Sequence, residues 1–314
     1  MTRTRDIADQ QKNLGGAAAP FVAGKNAVIN GGMDIWQRGT SVAGTGWIAA
    51  DRWFQASANI TNARETTIVP TGFQYSMKGS ITSGTSAPQW GQTIETANAI
   101  RFAGKTVTLS AFIATSDSST AYLRIDYATT TDEAITGTYT VLGYSTPSAT
   151  SSMPSNPQSL TLTVPSNAKT LRIYIGSGNG IASGGWCAAT GVQLEAGSVA
   201  TPFSRAGGTI QGELAACQRY YQVIGGTGSQ YPLVGGYAAA NNNQLRWPIQ
   251  YIVTPRTTPT VTKNGTWALG NASGPTISMV GAAGFSLEIT ALGAGMAYAY
   301  PDSTDDTVTI SAEL

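Results

Sequence analysis

The chain has 314 residues, a formal net charge of +1, 41% apolar residues and only 11% charged ones. That length and apolar content suit two packed domains, or one large domain with extensions, rather than a disordered chain, and so neutral a balance leaves no basic footprint for nucleic acid or an anionic membrane surface. Histidine is absent and Cys187 and Cys217 are the two cysteines, which excludes Ser-His-Asp and Cys-His nucleophiles, imidazole zinc sites and all-thiolate zinc sites.

Residues 1–24 read as a separate N-terminal segment. TRDIADQQKNL can form a short helix, and GGAAAPFVAG is a small-residue linker expected to fray unless it docks. The opening lacks the apolar core of a secretory signal, and no run approaches the ~20 apolar residues of a membrane span. From residue 25 the pattern turns to strands. KTVTLSAFIAT sets Val107, Leu109, Ala111 and Ile113 on one face, and AYLRIDYATT does the same with Leu123, Ile125 and Tyr127. SLTLTV and TLRIYIG follow, with Leu160, Leu162, Val164, Leu171, Ile173 and Ile175 inward. Alternation broken by Ser/Pro/Asn/Gly turns predicts an all-β jelly-roll β-sandwich over residues 25–205.

A helical stretch then interrupts. Ile210, Leu214, Cys217 and Tyr221 recur at spacings of four, three and four, which predicts a helix over about 209–223 inside a connector spanning 206–226. Thr209 is the expected cap, Glu213 suits the positive end of the dipole, and Gly225-Gly226 is the stop. The seam has two readings: identical helices packing around a shared oligomer axis, or one helix packing on its own sandwich. Residues 227–314 read as a second, smaller β domain. QLRWPIQY alternates, Asn264-Gly265 signals a hairpin, and TVTISAEL closes the chain with Val308, Ile310 and Leu314 on one face.

Candidate chemistry is sparse. Asp126, Asp132 and Glu133, or Glu65 with Glu95, could form the carboxylate pair of a glycosidase, but surface, turn and salt-bridge roles explain them as well, and no catalytic residue is assigned. Asp302, Asp305 and Asp306 offer oxygen ligands without matching the twelve-residue calcium loop. No phosphate-cradling or dinucleotide glycine motif occurs, so no metal or cofactor is expected. The cysteines are expected to be reduced and buried. Trp36, Gln37, Arg38, Asp51, Arg52 and Trp53 read either as a sugar site or as core tryptophans beside a structural ion pair, and the second reading is preferred. Receptor contacts are expected in the C-terminal region, where aromatic residues lie among Gly, Asn and Ser: Tyr231, Asn242, Tyr298, Tyr300 and Trp267 form the candidate glycan-binding set. Alternation points Trp247 and Trp267 inward.

GKNAVINGGMDIWQRGTS followed by AADRWF resembles the opening of a β-sandwich domain found in bacteriophage tail fibres and minor structural proteins. VQLEAGSVATPFSRAGGTIQGELAACQRYY is similar to that domain's closing strand and helical exit, and TPRTTPTVT and ISAEL resemble parts of the small β domain that follows it. The resemblance implies a virion-associated, non-enzymatic adhesin with a carbohydrate-binding-module-like sandwich, a distal C-terminal tip and homo-oligomeric assembly. A trimer is expected, or a pentamer if the chain forms a head spike as in some phages and gene transfer agents. Residues 1–24 would attach to another virion protein, the tip would meet bacterial surface polysaccharide, and synthesis would occur in the host cytoplasm. The short N-terminal segment suits a tip or spike subunit rather than a long fibre. A purely structural baseplate, connector or head-spike subunit is the second reading, and a polysaccharide depolymerase the third.

Overall fold

The computed structural model describes residues 24–117, 119–226 and 234–314. Almost all of the expected attachment segment, and Tyr231 of the glycan set, lie outside the described residues. The chain divides into two compact units, 1–214 and 215–314. Among the described residues no helix is long and apolar enough to cross a membrane.

The first unit is a jelly-roll β-sandwich. Its strands begin with β1 (Ser41–Ala43), β2 (Gly46–Trp47), β3 (Phe54–Gln55), β4 (Ile60–Glu65), β5 (Ser76–Ile81), β6 (Thr85–Ser86) and β7 (Gln89–Ile94). After a one-turn helix α1 (Thr96–Ala99) come β8 (Thr106–Thr115), β9 (Ala121–Ala128), β10 (Thr140–Ser145), β11 (Gln158–Thr163), β12 (Thr170–Ser177), β13 (Ile181–Ala182) and β14 (Trp186–Ala196). One six-stranded sheet runs β1-β4-β5-β14-β8-β11 and the other β10-β9-β12-β7-β3-β2. The alternating positions read from the sequence meet between them: Val107, Leu109, Ala111 and Ile113 of β8, Leu123 and Ile125 of β9, and Leu171, Ile173 and Ile175 of β12 are fully buried. Each Val, Leu or Ile side chain so removed from water contributes about 1.5–3 kcal/mol.

The outer face of β8 and β14 is buried as well, although its residues are polar. Thr108, Ser110, Gln193 and Glu195 lie under the segment that follows β14. Gln193 Oε1 accepts from Ser204 N at 2.8 Å, Glu195 accepts from Thr201 N and Thr201 Oγ1 at 2.8 and 2.6 Å, and Thr108 Oγ1 donates to Gly197 O at 2.9 Å. Strand side chains that a period-two reading assigns to solvent are thus covered by the exit chain and bond its backbone polar groups, which is what lets these polar side chains be buried.

The two recognisable sequence segments meet at this point. Asn26 Nδ2 donates to Val192 O and Ser204 O, while its Oδ1 accepts from Leu194 N and Val28 N. Arg205 Nε bonds Asp34 Oδ2 at 2.7 Å. Glu213, on the exit helix, accepts from Asn30 N through one oxygen and from Gly207 N through the other. The domain's first and last segments therefore close on one another through buried polar groups.

The helix, α2, covers Ile210–Gln218. Thr209 caps it as expected, with Oγ1 accepting from Gly212 N at 3.1 Å. It is shorter than the sequence spacing predicts. Tyr221 begins strand β15 (Tyr221–Gly225), which pairs with β23 (Thr307–Ser311) near the C-terminus. Tyr221, Val223 and Ile224 have β-favouring side chains, and a waiting partner strand outweighs one more helical turn. The four-residue seam is accordingly broken: Ile210 is 42% exposed, Leu214 is half-buried, Cys217 is fully buried and Tyr221 is not helical. The boundary between units falls inside α2 rather than at 226, so the second unit starts earlier than expected.

The second unit contains three small antiparallel sheets. Between β15 and β23 lie β16 (Val234–Ala238), β17 (Gln244–Gln250), β18 (Thr260–Lys263), β19 (Ala268–Gly270), β20 (Ala272–Ser278), β21 (Gly284–Ala291) and β22 (Gly295–Tyr300). The sheets are ordered β15-β23-β18, β16-β22-β19 and β17-β21-β20 around a core that includes Trp267, Phe285, Leu287, Ile289, Val308 and Ile310. Asn264-Gly265 does not close a hairpin, because β18 and β19 belong to different sheets. The turn is organised instead by buried Asp306. Its Oδ1 accepts from Thr266 N and Trp267 N at 2.8 and 3.2 Å, and its Oδ2 from Asp302 N and Ser303 N at 3.0 and 2.9 Å. The aspartate group of this loop is thus a backbone anchor, and among the described residues no cluster of three metal-ligating side chains occurs.

Candidate functional site

The carboxylates singled out in the sequence are committed to structural contacts. Asp126, fully buried on β9, receives Arg172 Nε and NH2 at 3.0 and 2.8 Å and Arg124 Nε at 2.6 Å. Asp132 accepts from Thr96 N, Glu133 from Thr130 Oγ1 and Thr138 N, and Glu65 from Thr66 N and Thr67 N. Burial works against the charge on Glu65, but these hydrogen bonds and the Lys78 ammonium prevail and hold its carboxyl at about 2. A group ionised so firmly at neutral pH does not serve as a general acid.

The tryptophan-arginine motif is scaffold. Trp53 is fully buried with Nε1 donating to Asn30 O, and Trp36 Nε1 donates to Met33 O at 2.6 Å. Gln37 Nε2 meets Asp51 Oδ2 at 2.6 Å and Arg38 meets Oδ1 of the same carboxylate at 3.4 Å. Buried Arg52, at φ 71°, donates to Thr93 O. Cys187 and Cys217 are both buried, and burial pushes the Cys187 thiol far up from its ordinary value.

Two of the expected glycan residues do come together, in the second unit. Successive side chains of a strand alternate in direction, and β22 sends Ala297 and Ala299 into the core while Met296, Tyr298 and Tyr300 face outward. Tyr298 and Tyr300 are stacked with centroids 6.0 Å apart and planes at 26°. On either side of Tyr298 the paired residue is a glycine, Gly235 on β16 and Gly270 on β19. The Tyr298 ring lies over Gly270, where a methyl would sit 2.2 Å from ring carbon Cζ. Tyr237, 71% exposed, stands opposite Met296. The result is an uncharged aromatic face on a rigid sheet, with Tyr298 39% exposed at its centre.

The rest of the set is not on this face. Asn242 occupies the turn between β16 and β17, exposed and at φ 63°, with its N–H donating to Ala291 O. Trp267 is 3% exposed, with Nε1 donating to Asn264 O at 2.8 Å, and offers no ring face to a ligand. Trp247 projects from edge strand β17 and stays about half exposed, contrary to its inward position in the alternation.

The sequence reading missed a cleft in the first unit. It has a volume of about 300 Å³ and is walled by Phe112 and Phe203, with Ser110, Ser155, Asn156 and Thr201 supplying hydroxyl and amide groups and no charged side chain in its lining. Phe73 packs against Phe112 at 5.5 Å and against Phe203 at 5.1 Å. A bulge in β14 makes room for these rings. Gly191, at φ 63°, interrupts the pairing with β8, and a methyl there would lie 2.7 Å from Phe112 and 2.8 Å from Phe73. A glycine inside a long apolar strand is a bulge signal, and it is the one sign of this cleft in the sequence.

No protein-family model matches the chain, and no curated protein matches it. Among solved structures it is similar to the enzymatically active domain of bacteriophage CBA120 tailspike protein 4, at 16% identity over 55% of this chain and 21% of that one, with a TM-score of 0.36. The chain thus spans about a fifth of that tailspike chain. It is also similar to TmCBM61 in complex with β-1,4-galactotriose, at 8% identity over 55% of this chain and 99% of that one, TM-score 0.35. The C-terminal family 22 carbohydrate binding module of Clostridium thermocellum Xyn10B matches at 15% identity over 48% of this chain and 89% of that one, TM-score 0.32.

Proposed function

We propose that this chain is a non-enzymatic, carbohydrate-binding subunit of a virion fibre or spike that attaches to bacterial surface polysaccharide. The observation that carries the reading is the tyrosine face of β22, where stacked, outward-facing rings lie between paired glycines, Gly235 and Gly270, whose lack of a side chain leaves the Tyr298 ring room. Exposed tyrosine rings carrying their own hydroxyls suit the apolar faces and hydroxyl rims of sugar rings. The resemblance of the opening and exit segments to phage tail-fibre proteins supports the place on the virion. Several copies in one particle multiply weak individual contacts through effective concentration, so each face needs only modest affinity. Residues 1–24 would join the subunit to another virion protein.

The test is binding of fluorescent full-length protein to host cells and to purified surface polysaccharide. Tyr298→Ala is expected to weaken binding about tenfold, the loss of roughly 1.4 kcal/mol of stacking, with thermal unfolding unchanged. Gly270→Ala should have a comparable effect, because its methyl displaces the Tyr298 ring without removing it. Undiminished binding by both variants would take the tyrosine face out of the recognition site.

A further inference from the structure

The first unit has a second concavity, and its charge sets it apart from the Phe112–Phe203 cleft. A cleft of about 390 Å³ gathers Lys25, Arg101 and Lys105, three of the 18 basic residues of the chain, around a single carboxylate, Glu195. That carboxylate is heavily engaged: it accepts from Thr201 N, Thr201 Oγ1 and Gln193 Nε2, with the Lys25 ammonium 3.7 Å away. Lys25 also donates to Pro202 O. The other two cations have no anionic partner among the described residues. Arg101 donates to Gly24 O and lies 4.7 Å over the Phe102 ring, and among the described residues the Lys105 ammonium makes no hydrogen bond or ion pair.

Electrostatics give the same picture. Asp34 raises the Arg205 guanidinium above its ordinary value, and Asp126 raises that of Arg124 against the opposing effect of burial. Arg101 is lowered by burial, with no carboxylate to offset it. Partial desolvation of an uncompensated cation is the condition under which a bound anion gains most. Thr201 lines both this cleft and the uncharged one walled by Phe112 and Phe203, so the two are adjacent along the segment that crosses the outer face of β14.

We infer that the Lys25–Arg101–Lys105 cleft is an anion subsite, which takes the carboxylate or phosphate substituent of a polysaccharide whose neutral rings occupy the neighbouring cleft. The choice of a polysaccharide rests on the carbohydrate-binding reading, whereas the preference for an anion rests on the cleft itself. The ligand class is therefore an acidic glycan, either a uronic-acid polymer or one carrying phosphate.

Calorimetric titration of the full chain separates these claims, using a galacturonic acid trimer, a neutral hexose trimer of equal length, a glycerol phosphate oligomer and inorganic phosphate. The expected result is about tenfold tighter binding of an acidic oligomer than of the neutral trimer at low salt, with the advantage shrinking as sodium chloride screens it. Lys105→Glu should abolish that advantage and leave neutral binding and thermal stability unchanged, because the Lys105 side chain has no partner among the described residues. A preference for galacturonate assigns the anion to a uronic acid, and a preference for the glycerol phosphate oligomer assigns it to phosphate. Equal binding of acidic and neutral oligomers, or an acid preference that survives Lys105→Glu, would overturn the subsite. Inorganic phosphate bound in a Lys105-dependent way, with no oligomer bound at all, would keep the anion site and remove the polysaccharide.

Discussion

Asp306 shows how one residue can set a domain's local geometry. Its two oxygens accept four backbone N–H groups, from Thr266, Trp267, Asp302 and Ser303, which places Trp267 in the core and takes the chain from one sheet to another. Gly265 must be a glycine here, because it sits at φ 73° and a methyl would lie 2.0 Å from Asp306 Oδ1. Burial opposes the charge on Asp306, yet the N–H groups outweigh it and hold the carboxyl well below the usual range. The native state therefore binds fewer protons than the unfolded state between the two pKa values. The contribution is fully present above the unfolded value of about 3.9 and is lost as pH falls toward the folded one. Asp306→Asn keeps one acceptor oxygen and turns an amide NH2 toward two N–H donors. It is expected to cost about 1–3 kcal/mol at pH 7 and to flatten the acid limb of the stability profile. Urea titrations of both forms between pH 2 and 7 measure this, and parallel acid limbs would show that Asp306 is not the linked group.

At the scale of elements, the helix α2 is held by its polar residues more than by its apolar stripe. An isolated helix of nine residues is unstable in water. Thr209 caps this one, and Glu213 ties it to the start of the sandwich by accepting from Asn30 N and Gly207 N. Burial pushes the Glu213 carboxyl up, opposed by those two donors. Glu213→Gln fits the same space but can accept at only one atom, so one N–H is left facing an amide donor. The expected loss is about 1–3 kcal/mol, read by chemical unfolding at pH 7. Equal stability would mean that the tether is replaceable by packing. The same elements show what the sequence makes legible. Period-two alternation located β8, β9, β11 and β12 with their inward faces, because a side chain's direction in a strand is a local property. The end of α2 and the turn at Asn264-Gly265 were misread, because β23 and Asp306, some 40 to 90 positions further along the chain, decide them. The tyrosine face is half legible: composition draws attention to Tyr298 and Tyr300, but the glycines that flank Tyr298 lie on two other strands. The Phe112–Phe203 cleft depends on a bulge and a crossing segment, which local periodicity does not encode.

For the whole molecule, the expected homo-oligomer needs a contact surface. The helical seam no longer supplies the contact, since Cys217 is buried within the chain and Tyr221 is in a strand. The second unit offers another surface. Residues 250–252, at the end of β17, run beside the turn between β20 and β21, with Tyr251 N donating to Ala283 O and Tyr251 Oη to Gly281 O. Around this contact Ile252, Met279 and Val280 are exposed. Exposed apolar groups of this kind mark association sites, and a chain with a net charge of +1 does not repel its own copies. The homotrimer that the family resemblance implies would have a mass three times that of the 32.5 kDa chain, which light scattering measures. The double variant Ile252→Lys, Met279→Lys is expected to sediment as a monomer, whereas Ile210→Asp on the helix should leave the oligomer intact. The opposite pattern would restore the helical seam as the axis, and a monomeric wild-type chain would leave any symmetry to its neighbours on the particle.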